Sequence, residues 1–266
     1  MKISYIINAI FIIAMSIVWT FNEFFFSESM TFEANMFQSI IIIIAAALGA
    51  IFLIHVALLY KISTSIGKVW LLLGLGIMGW CIGDIIYAYY ENYTEVAPFP
   101  SIADLFYLLA YIPLSWGLIL QMRLLQIKLP LGEKIIIAII FIIVCIIVAV
   151  FVIVIPIQEE YPIPEDELIG YLVSALYPIV DLILLLCVII VFAKFRKGKI
   201  HVAWILLLMG ILMTLIADIL FNWVESIVEE TATFELYDLL FLIGYVFIYI
   251  GALAVINIMT KTFEAS

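Results

Sequence analysis

The sequence predicts an all-α, polytopic membrane helix bundle of eight transmembrane helices built from two parallel four-helix repeats. Composition is the first reason. Of the 266 residues, 68% are hydrophobic and 12% charged, with a mean hydropathy of +1.32. A soluble domain carries roughly 45–50% apolar and about 25% charged residues. The second reason is length: eight apolar runs each reach the roughly 20 residues that a helix needs to cross hydrocarbon. The third is an internal offset, in which a shift of 134 residues brings the polar residues of one half onto those of the other.

The runs lie at about 5–26, 36–60, 68–90, 102–126, 134–157, 169–194, 200–228 and 235–259. The first is too long for the apolar core of a signal peptide, and the Ser27-Glu28-Ser29 that follows Phe26 offers no small-x-small cleavage site, so it is read as a helix. The second contains Ile40–Ala50, an unbroken apolar stretch without the alternation of a membrane barrel strand. In the third, Gly74, Gly76, Gly79 and Gly83 read as a small-residue seam for close helix contact. The fourth follows Pro100, with Ser101-x-x-Asp104 as its starting cap. Short loops join the remaining four, so the chain is expected to form one integral membrane domain over 1–266, with repeats at 1–133 and 134–266.

Charge orients the bundle. The eleven basic residues occur at the termini or in alternate loops, and of the 21 acids only Glu133 and Glu264 share those positions. The positive-inside bias puts both termini in the cytoplasm of a multi-pass cell-membrane protein and the acidic loops outside. The net charge of −10 therefore says little about a partner. The largest basic cluster, Lys194–Lys199, is an orienting loop at the lipid surface, and nucleic-acid binding is not expected.

The offset is carried by residues that are rare here. Trp70 falls on Trp204, Gly76 on Gly210, Asp84 on Asp218, Glu91 on Glu225 and Glu95 on Glu229. Asp104 falls on Asp238, Tyr111 on Tyr245 and Gly117 on Gly251, and 15 of the 51 pairs from 68/202 to 118/252 are identical. Four spans per unit return each copy to the same side, so the copies are parallel, related by an axis along the membrane normal. A site is expected where the halves meet.

Acids within the runs supply the candidates. Asp84, Tyr87 and Glu91 share one face at the outer end of the third run, as do Asp104, Tyr107 and Tyr111 in the fourth. Asp218, Glu225, Asp238 and Tyr245 echo them, and Tyr177 and Asp181 lie on the sixth run, where Asp181 has Ala47 as its counterpart. A carboxylate at mid-membrane costs about 2.5–3.5 kcal/mol, so Asp84, Asp181 and Asp218 should face inward. No Lys or Arg lies at comparable depth, and compensation must come from protons, hydroxyls, water or a bound cation. Asp104 reads equally well as a dipole-stabilising cap, and Asp238 is similar. Glu23, Glu91, Glu95, Glu225 and Glu229 sit at the water interface, where solvation is the simpler reading.

Other chemistries lack their residues. His55 and His201 lie near the cytoplasmic side, far from the acids, so neither a metal site nor a haem is expected. No catalytic triad has its members at one depth, and no lysine lies mid-helix for a retinal Schiff base. Cys81, Cys145 and Cys187 are scattered within apolar runs and form no disulfide framework. Trp80, Trp116 and Trp223 fit interfacial belts and packing. No enzyme activity and no cofactor are expected.

The segments Gly83-Asp-Ile-Ile-Tyr-Ala-Tyr-Tyr-Glu91, Pro98-Phe-Pro-Ser-Ile-Ala-Asp-Leu-Phe-Tyr through Pro113, and Tyr177-Pro-Ile-Val-Asp181, with the second Asp pair, carry a resemblance. They resemble the multi-helix membrane region at the amino terminus of prokaryotic diguanylate cyclases and sensor histidine kinases. The resemblance implies a sensory input module, with Asp84, Asp104, Tyr107, Asp181, Asp218 and Asp238 as motif positions. Those proteins continue into a cytoplasmic catalytic domain, whereas this sequence ends a few residues after its last run, so signalling is expected to pass through a separate cytoplasmic or membrane partner.

The expected function is thus a membrane sensory or ligand-binding module, set in the lipid bilayer, with an outward-facing acidic and aromatic pocket for a cation or small cationic ligand. Two alternatives stand beside it: a proton- or cation-coupled secondary transporter, and a non-catalytic structural subunit of a membrane complex.

Overall fold

A computed structural model describes residues 32–94, 99–126, 128–154, 168–195, 200–227 and 236–264, and the side chains of 32–35, 222–227, 236 and 262–264 are outside that description. Among the described residues there are seven α-helices: α1 (Phe32–Leu59), α2 (Ser65–Tyr93), α3 (Ile102–Leu125), α4 (Leu131–Ala149, continued by a π-helical turn over Val150–Val154), α5 (Leu168–Phe195), α6 (His201–Ile227) and α7 (Leu236–Glu264). All seven are long and apolar enough to cross a membrane, which fits a multi-pass membrane protein. Among the described residues there is no strand. The run at 5–26, with Glu23, lies outside the described residues, as do Glu95 and Glu229.

Local chemistry sets the helix ends. Thr64 caps α2 by accepting from the Gly67 N–H at 3.0 Å. At α3 the Ser101 hydroxyl accepts from the Ala103 N–H at 3.1 Å, while the Asp104 carboxylate accepts from the Ser101 N–H, completing a capping box. The helices run without a break through Pro113 in α3 and Pro178 in α5.

Packing closes six helices into a ring in the order α1–α2–α3–α5–α6–α7, with α7 returning to α1. Helix α4 stands outside, against α5 and α6. It buries Val148 and Val152 and exposes a run of isoleucines including Ile135, Ile139, Ile142 and Ile146, a surface suited to lipid rather than water.

The glycines of α2 do not form one seam. A Cβ on Gly74 would meet Ile54 of α1 at 2.7 Å, whereas on Gly76 it would meet Leu114 of α3 at 2.2 Å and on Gly79 the Ala110 Cβ at 2.8 Å. They serve two faces, one for each flanking helix. The α6–α7 contact shows corresponding close approaches 134 residues on. Gly210 lies against Ile248 and the Gly244 carbonyl as Gly76 lies against Leu114 and the Ala110 carbonyl. Gly117 lies against Val69 and Leu72, and Gly251 against Ala203 and Leu206. Trp70 and Trp204, paired by the same offset, touch each other with ring centroids 5.5 Å apart.

Candidate functional site: an acidic, aromatic pocket

Successive helices run in opposite directions along the chain, so α2 and α6 finish where α1, α3, α5 and α7 begin. At that end lies a pocket of about 130 Å³, room for several waters. Ten of the twelve candidate residues line it: Asp84, Tyr87 and Glu91 from α2; Asp104, Tyr107 and Tyr111 from α3; Tyr177 from α5; Asp218 from α6; Asp238 and Tyr245 from α7. Asp181 sits directly behind this lining, and the Glu225 side chain is outside the described residues. Among the residues that line it there is no Lys, Arg or His. The described basic residues, from Lys61 to Lys261, occupy the opposite end of the helices together with His55 and His201.

Phenols and carboxyls are paired across helices. Tyr107 donates to Asp84 Oδ1 at 2.9 Å, Tyr111 to Asp181 Oδ1 at 2.7 Å, and Tyr177 to Asp104 Oδ1 at 2.6 Å. The first pair depends on Gly83, since a Cβ there would meet the Tyr107 ring at 2.5 Å. Each phenol joins two helices and fixes a ring edge in the pocket wall.

The four deep acids differ in how fully they are satisfied. Asp104 has donors on both oxygens, because Oδ2 also takes the Ser101 N–H and hydroxyl. It is thus a cap and a wall residue at once, and the two sequence readings of this position coincide. Asp84 Oδ2 is buried and receives no donor, although the Tyr245 hydroxyl lies alongside its carboxyl. Asp181 is fully buried and its Oδ2 likewise receives no donor, because its neighbour is the Asp218 carboxyl, another acceptor. Two carboxyls in contact away from bulk water need a proton or a cation between them. Nearer the mouth, Glu91 accepts from the Ser39 hydroxyl at 3.3 Å, so this acid is held by α1 rather than simply solvated.

The remaining walls are aromatic. Trp80, for which the sequence left interfacial belt and packing both open, is buried in the pocket wall, edge-on to Tyr111 at 5.4 Å and 6.3 Å from Tyr245. Trp116 is 63% exposed on the outside of the bundle, as a belt residue would be. Tyr107 and Tyr177 meet edge-to-face at 6.3 Å. Phe221 bridges Phe99 at 6.0 Å and Tyr237 at 5.3 Å. Phe241, which the 134-residue offset sets on Tyr107, lines the pocket too. Gln38, Ser39, Phe99, Thr214 and Tyr237 also line it and were not singled out by sequence, since they carry no local signal.

Among the described residues no three His, Cys, Asp or Glu side chains come together at metal-ligating range. No known family, curated protein or solved structure matches the chain.

Proposed function

We propose that the protein is an integral-membrane sensory or ligand-binding module that takes a positively charged ligand in an outward-facing pocket and signals through a separate partner. One observation carries this reading: five carboxyl-bearing residues, Asp84, Glu91, Asp104, Asp218 and Asp238, line a single pocket from which basic side chains are absent among the described residues. Field lines from like charges in a low-dielectric cleft concentrate counter-charge there. The outward orientation rests on the basic residues at the far end of the helices and the positive-inside bias. The resemblance to sensor regions of diguanylate cyclases and histidine kinases supports a sensory role by analogy.

The architecture proposed with it is two parallel four-helix repeats, 1–133 and 134–266. The glycine contacts at 76/210 and 117/251, and the contact between Trp70 and Trp204, support a pseudo-two-fold axis through the ring.

Thermal unfolding of the purified full-length chain with a panel of cations tests the pocket. A cation that binds only the folded state raises the midpoint. It should do so for wild type and not for the Asp84→Asn/Asp218→Asn double variant; a flat response in both proteins sinks the reading. A second reading, proton- or cation-coupled transport, is favoured by Asp181, midway along α5 and paired with Asp218. Coupled flux into liposomes that disappears in Asp181→Asn would select it.

A further inference from the structure

The pocket's walls restrict which cation suits it. A hard metal ion such as calcium needs roughly six to eight oxygens converging at 2.3–2.6 Å. Here the five lining carboxyls are spread over four helices, and that of Asp104 is already occupied on both oxygens. Among the described residues no three acids meet at metal-ligating range. A bare proton would need no pocket at all, whereas this one encloses about 130 Å³.

Ring surface is what the site offers in quantity. Tyr107, Tyr111 and Tyr177 have their hydroxyls tied to Asp84, Asp181 and Asp104, so their rings are held in place before any ligand arrives. Trp80 stands between Tyr111 and Tyr245, the aromatic type that attracts cations best. At the mouth Phe99, Phe221 and Tyr237 add apolar edges. Two buried carboxyl oxygens, Asp84 Oδ2 in the wall and Asp181 Oδ2 behind Asp218, receive no donor and leave acceptor capacity at the site. An aromatic cage with one or two carboxylates is the environment of a diffuse, poorly hydrated cation carrying its own apolar substituents.

We propose that the pocket is a site for a small organic ammonium ion, its charge held between Asp84 and Asp218 against Trp80 and its alkyl part along Phe99, Phe221 and Tyr237. This rests on the reading of the pocket as a cation site and names the class of cation. The size agrees: 130 Å³ takes an ammonium headgroup but falls short of the roughly 300–1,000 Å³ of pockets for drug-sized ligands.

The test uses the full-length chain in lipid nanodiscs, titrated with tetramethylammonium, choline and butylammonium chlorides, and with sodium, potassium and calcium chlorides at matched ionic strength. Thermal midpoint and calorimetric affinity are read for wild type, Trp80→Phe, Trp80→Leu and Asp218→Asn, the Phe variant keeping a ring in case the Leu variant does not fold. At least one ammonium should raise the midpoint where the inorganic ions do not. Its affinity should fall about 3-fold in Trp80→Phe and about 30-fold in Trp80→Leu, the range of cation–π interactions converted to binding constants. Asp218→Asn should weaken it at least 10-fold. Binding of inorganic ions alone overturns the ammonium assignment and leaves the cation pocket standing. Ammonium binding that ignores Trp80 and Asp218 places the ligand elsewhere and also overturns it. No response to any cation removes both.

Discussion

Asp84 and Asp218 are aspartates 134 positions apart, matched by the sequence offset, yet their surroundings differ. Around Asp84 the neighbours are hydroxyls: Tyr107 donates to it, and Tyr245 lies beside it. Around Asp218 the position matching Tyr107 is Phe241, which has no hydroxyl, and the place matching Ala47 is Asp181. One acid is therefore served by phenols and the other faces a second acid. The glycine that makes room for Tyr107, Gly83, is matched by a fully buried Ala217, which suits a half whose aromatic partner makes no such bond. This difference makes the site lopsided, with two carboxyls in contact on the α5–α6 side.

The comparison can be broken most sharply at Gly83. Gly83→Ala gives the first half the residue of the second and drives a methyl into the Tyr107 ring. Overpacking and loss of the bond to Asp84 should together cost up to about 3 kcal/mol, read as a lower unfolding midpoint in detergent. Tyr107→Phe, which removes the bond without the clash, should account for the smaller part of that loss; equal midpoints for Gly83→Ala and wild type would refute the clearance argument.

Asp181→Asn works in the opposite sense. The amide still accepts from Tyr111 and turns an N–H toward Asp218, making the second acid as well served as the first. Stability should rise by about 1 kcal/mol in chemical denaturation. A fall would mean that the charge of Asp181 is itself needed in the resting protein. Smallest is Ser101→Ala, which removes the hydroxyl shared by the α3 cap and Asp104. A loss of roughly 0.5–1 kcal/mol is expected, with the pocket intact because Tyr177 still holds Asp104; a larger change in cation response than in stability would show that the cap positions the site.

The spans were legible because apolar runs of that length have one use, and the helices fall within a few residues of the positions read from sequence. The acids were legible for a related reason: a carboxyl is costly and rare in such a background, so its position stands out. Their partners were not. Tyr111 shares a helix face with Asp104 and Tyr107, but its hydroxyl reaches Asp181 on α5, 70 residues away. Trp80 was indistinguishable from a belt tryptophan, because depth along a helix does not reveal which side of the helix faces the core. Ser39, Phe99 and Thr214 carry no mark at all until neighbouring helices bring them to one wall.

By itself, then, the sequence determined that long apolar helices form, that the acids gather toward one end and the bases toward the other, and that polar positions recur after 134 residues. These follow from transfer free energies and from periodicity, which are local or additive along the chain. Tertiary structure decided which helices close the ring, that α4 stays outside it, which phenol serves which carboxyl, and that Asp181 and Asp218 are left facing each other. Hydrogen bonds act over about 3 Å, so their pairing depends on the rotation and offset of whole helices, and those are set by side-chain packing between segments far apart in the chain.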